Sequence, residues 1–116
     1  MGTDRLYRLT AACLIVHELE VVFLPEWTAF HDASNPVQQI IMLAHVPVIF
    51  GMLIAAELTR RISIRVGICM FAVLHVGLHW VYRNHPFHDL SSATSWVLIL
   101  LAGIFGAAYL VPEKAR

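Results

Sequence analysis

Four apolar stretches of about 20 residues, each bounded by a proline, occupy most of this chain and leave it little else to fold into. A helix rises 1.5 Å per residue, so about 20 mostly apolar residues cross the hydrocarbon of a bilayer. The pattern predicts helices over about 6–24, 37–56, 62–82 and 92–111. The first stops at Pro25, the third before Pro86 and the fourth at Pro112. The second is opened by Asn35 and Pro36, an N-cap residue followed by a proline suited to the first helical position. Short connections make sequential helices antiparallel neighbours.

The solvent for such a bundle follows from composition. Hydrophobic residues make up 59% of the 116 residues and charged residues only 14%, against about 25% charged in soluble domains. A soluble core of this size cannot hide so much apolar surface. The expected fold is therefore all-α: a single transmembrane domain over residues 1–116, a four-helix bundle with antiparallel up-down-up-down topology, surrounded by membrane lipids. The first stretch reads as a retained helix rather than a cleaved leader, because no small-residue cleavage site follows it.

The charges give this bundle a direction. Arg5, Arg8, Arg60, Arg61, Arg65, Lys114 and Arg116 all fall at one end of four antiparallel spans, and only Arg83 falls at the other. That asymmetry places both termini in the cytoplasm. The formal net charge of +0 and the lack of a basic stripe exclude nucleic acid as a partner. Cys13 and Cys69 lie inside apolar stretches without a CxxC spacing, and no disulfide is expected. Trp80, Tyr82 and Trp96 read as an aromatic belt at the outer boundary.

Within the apolar stretches the histidines fall at similar heights. His17 lies about 10 Å below the outer end of the first helix, His45 about 12 Å below that of the second, and His75 about 10 Å and His79 about 4 to 5 Å below that of the third. Ionisable groups inside a bilayer are costly and mark functional sites by default. His75 and His79, four residues apart, share one helix face and can chelate one ion. His17 and Glu20 share a face at i, i+3, the spacing of Glu/His pairs in metal-binding bundles.

Imidazole with carboxylate suits a transition metal ion, zinc or non-haem iron above all, and not calcium or magnesium. The ligand set expected is His17, Glu20, His45, His75 and His79. Glu20 and Glu18 are the candidate catalytic carboxylates. They point about 160° apart on a helix, so they cannot serve one site equally. Glu20, on the face of His17, is expected at the metal, and Glu18 is expected to pair with a loop histidine or Arg83. His31, His85, His88 and Asp89 lie in the outer loops, where a solvated position is ordinary. Ser91, Ser92, Thr94 and Ser95 offer hydrogen bonds to whatever the outer site holds. The Ala102-x-x-x-Gly106 and Gly103-x-x-x-Ala107 patterns read as close helix packing, within the bundle or in a homo-oligomer. A lone histidine on an apolar face, such as His45, is by itself most often a packing residue; the shared depth is what sets this group apart.

The stretch His17-Glu18-Leu19-Glu20, then proline and tryptophan, a lone histidine in the second span and H-x-x-x-H in the third resembles the HxxEE-domain group of small four-helix bacterial membrane proteins. That motif has glutamate at the third and fourth places after histidine. Glu20 matches the first, and Val21 stands at the second. The resemblance implies a metal-dependent membrane enzyme and nothing about its substrate.

Two classes of function follow. One is a metal-dependent hydrolase, isomerase or oxygenase acting on a lipidic or other apolar small molecule near the outer face. The other is a redox carrier with haem b held between histidines of facing helices, or a metal or proton pathway built from the same residues.

Overall fold

Asn35 and Pro36 start a helix as expected: the Val37 amide donates to Asn35 Oδ1 at 3.0 Å, so the side chain takes over one of the first turn's spare donors. The computed structural model describes residues 2–23, 35–84 and 93–111. Those residues form four helices: α1 (Thr3–Phe23), α2 (Pro36–Thr59), α3 (Ile62–Tyr82) and α4 (Ala93–Leu110). All four match the expected stretches to within three residues at each end. The outer-loop residues Trp27, His31, His85, His88, Asp89, Ser91 and Ser92 lie outside the described residues.

The connection between α2 and α3 is tight. Thr59 Oγ1 donates back to the Ala55 carbonyl at 2.7 Å, and Arg60 turns the chain in the left-handed region at φ 52°. Helix α2 also carries Pro47 in its interior. Proline has no N–H to give the carbonyl four residues earlier, so the ladder is interrupted two residues after His45.

Packing is uneven. Helix α4 packs along both α1 and α3, while α2 rests more lightly, mostly on α3. The core joins Tyr7 and Leu14 of α1, Leu53 and Ala56 of α2, Ile68, Cys69 and Ala72 of α3, and Ala102 of α4. Cys13 and Cys69 are free thiols. Leu43, Leu58, Leu74, Ile104 and Val16 instead face outward. Among the described residues α3 and α4 are long and apolar enough to cross a membrane, with hydropathies of 1.7 and 1.9. Helix α1 does not pass the same test, since Asp4, Arg5, Arg8, Glu18 and Glu20 interrupt it.

The small residues of α4 act inside the bundle. Gly106 lies against the backbone of α3, where an added Cβ would stand 2.9 Å from the Cys69 carbonyl oxygen. Backbone cannot step aside as a flexible side chain can, so α4 would have to move. Gly106→Ala is expected to destabilise the detergent-solubilised protein by about 1 to 2 kcal/mol, as overpacking does. Thermal melting checks this; an unchanged melting temperature would mean that the helices separate freely here.

At the opposite end from the histidines, Arg65 collects three helices. It is largely buried one turn into α3, donates from Nη1 to Asp4 Oδ1 of α1 at 2.7 Å, and lies 4.7 Å above the Tyr7 ring. Glu57 of α2 is 4.0 Å away. The sequence pattern groups Arg65 with the solvated basic residues of the loop. The structure turns it inward because its position falls on the α3 face that meets α1.

Candidate metal centre

Three imidazoles converge between α1 and α3. His75 and His79 stand one turn apart on α3, with Nε2 atoms 3.0 Å apart and ring centroids 4.5 Å apart. His17 reaches them from α1, with ring centroids 5.1 Å from His75 and 5.2 Å from His79. One donor atom from each of the three lies within 4.8 Å of the others, so the group could hold a metal ion. Donors around one tetrahedral ion, each about 2.0 to 2.1 Å from it, lie about 3.3 Å apart. The His75–His79 separation is close to that value already. The His75 ring is held from below by Phe71, one turn earlier on α3, with centroids 5.1 Å apart.

His17 supplies the test of fit. It is only 1% exposed, yet neither of its ring nitrogens has a hydrogen-bond partner among the described residues. A buried imidazole without partners is costly, and a bound cation would satisfy one of those nitrogens.

Glu20 stands behind His17. Its Oε2 is 3.9 Å from His17 Nδ1 and accepts a 2.6 Å hydrogen bond from Ser95 Oγ at the start of α4. At 3.9 Å the approach to His17 is a charge contact rather than a hydrogen bond, on the side from which a carboxylate can orient a metal-binding imidazole. Ser95 is fully buried, whereas Thr94 is exposed and takes no part.

The remaining two expected residues meet each other instead. Glu18 Oε2 lies 3.1 Å from His45 Nε2. Glu18 is turned about 100° from His17 around α1, toward α2, and α2 is where His45 resides. The three converging imidazoles do not include His45, which meets Glu18 instead. The loop histidines expected near Glu18 lie outside the described residues. Arg83 is engaged elsewhere: its Nη1 donates to the Trp80 carbonyl at 2.6 Å and its guanidinium lies 4.2 Å above the Trp80 ring. The Glu18–His45 pairing depends on the rotation of α1 against α2, which neither helix's sequence states. The support from Phe71 carries no signal in the sequence either, since one more aromatic in an apolar helix is ordinary packing.

Fold and site together define a small all-α protein of four helices with a buried histidine cluster. The chain belongs to a protein family of unknown function (DUF6713), whose model matches residues 3–115. This is the family shown, and not the HxxEE-domain group that His17-Glu18-Leu19-Glu20 resembles. No curated protein and no solved structure matches the chain.

Proposed function

We propose that this protein is a membrane-embedded metalloenzyme that binds a transition metal, zinc or non-haem iron, through His17, His75 and His79. Its substrate would be a lipidic or other apolar small molecule near the outer face. The observation that carries the reading is the convergence of three imidazoles from two helices, with neither nitrogen of a buried His17 in a hydrogen bond among the described residues.

The membrane setting draws on the outward-facing leucines, isoleucines and valines of all four helices. Contacts between helix ends agree with an up-down arrangement. Ser95 at the start of α4 meets Glu20 near the end of α1, and Tyr109 at the end of α4 meets Tyr7 near the start of α1. With both termini in the cytoplasm, Asp4 and Arg65 lie at the inner end and the histidines in the outer half. Reporter fusions check this orientation: a terminus found on the outer side would overturn it.

In this reading His17, His75 and His79 hold the ion, and Glu20 fixes the ring of His17. A metal at this position would supply Lewis-acid chemistry, or oxygen chemistry if iron. Haem fits less well. A porphyrin between two axial imidazoles needs a flat, wide slot, and here the His79 ring stands beside both His17 and His75. Elemental analysis of the detergent-purified protein is the direct test. At least one zinc or iron per chain, without a haem Soret band, is expected; a protein free of transition metal that also fails to take one up would end the proposal.

A further inference from the structure

Glu18 is the most isolated charge-bearing group of the outer layer. It is 1% exposed, and neither carboxylate oxygen has a hydrogen-bond partner among the described residues. Among the described residues His45 Nε2 lies 3.1 Å from its Oε2, in a contact not directed as a hydrogen bond. A lone ion pair with a protonated His45 is the simplest account of that contact. It leaves Oε1 with nothing and Oε2 poorly served, at a depth where an undersupported carboxylate costs several kcal/mol.

A cation between the two side chains accounts for more. Oxygen and nitrogen ligands about 2.0 to 2.2 Å from a tetrahedral ion stand about 3.3 Å apart, close to the separation seen. An ion can also take both oxygens of one carboxylate. His45 is part-exposed on the lightly packed α2, which gives an ion or substrate access to the open side of the position. We propose that Glu18 and His45 form a second divalent-metal position, distinct from the His17/His75/His79 site, so that adjacent residues of α1 reach two ions. The proposal rests on the metal reading of the three histidines but is tested apart from it.

The test counts zinc per chain in detergent-purified full-length protein after saturation with Zn2+ and removal of free ion. Two ions are expected in the native protein. Glu18→Ala and His45→Ala should each keep one, and His75→Ala should keep the other. Glu18→Gln, checked for helix content by circular dichroism, replaces Glu18→Ala if the latter does not fold. A single ion in the native protein, lost only in His75→Ala, overturns the second position and leaves the first. A single ion lost in both His45→Ala and His75→Ala overturns it too, since His45 then belongs to the first site. Two ions that persist in both Glu18→Ala and His45→Ala place the second elsewhere and also refute it. Loss of an ion in Glu18→Ala with none lost in His75→Ala upholds the second position and removes the first. The native count does not depend on any variant folding.

Discussion

His75→Ala should weaken metal binding at the three-histidine site by at least about 100-fold. Structural zinc sites with four ligands bind with roughly 10 to 16 kcal/mol, so one ligand carries on the order of 3 kcal/mol or more. His75 lies near both other rings of the group, 4.5 Å from His79 and 5.1 Å from His17. Two imidazoles on different helices remain after its removal, with no chelating pair on one face. Competition against a chromophoric chelator measures the change. An affinity within threefold of the native value would show that the three rings are packed together for a reason other than metal. The small side chain also leaves a gap beside Phe71, so folding should be followed by circular dichroism alongside the titration.

The second large effect is expected at Glu20. Glu20→Ala removes the carboxylate behind His17 and leaves the Ser95 hydroxyl without its acceptor. Loss of such a supporting partner typically costs about 10 to 100-fold in metal affinity or activity. Ser95→Ala should follow in the same direction with a smaller loss, because Glu20 stays and loses only this hydrogen bond. If Ser95→Ala proves as damaging as Glu20→Ala, the hydroxyl acts directly on the site and the order of roles is different. If neither matters, the proximity of Glu20 to His17 is only packing.

The helices were legible because their signals are local. Asn35-Pro36 marks a helix start by cap chemistry, and Pro25, Pro86 and Pro112 end apolar runs that are long enough to read unambiguously. The pairing of His75 with His79 was legible for the same reason, since four residues on one helix fix a shared face. The placement of His17 beside them needed only depth and a common face with Glu20.

What was not legible depended on the rotation of one helix against another. Glu18 and His45 are far apart in sequence, and nothing in either helix states which flank of α1 faces α2. The burial of Arg65 depends on the same rotation. A basic residue one turn inside an apolar helix reads as the end of a loop, and only the approach of Asp4 and Tyr7 from α1 shows that it is enclosed. The role of Gly106 was half visible, as the spacing named close packing but not α3 as the partner.

Helices α1 and α3 are tied at two heights, by Asp4 with Arg65 and by His17 with His79. Along α1 these ties are 13 residues apart and along α3 they are 14 apart (17 minus 4, and 79 minus 65), or about 20 Å in each case. The two helices therefore work as matched rulers. One residue inserted between the ties on either helix advances everything beyond it by about 1.5 Å and turns it by about 100°. Such an insertion would carry Val16 into the place of His17 on α1, or Leu78 into the place of His79 on α3, and uncouple one tie from the other. Length between the ties is thus a constraint on this chain in its own right: along these two stretches a side chain can change where the spacing cannot.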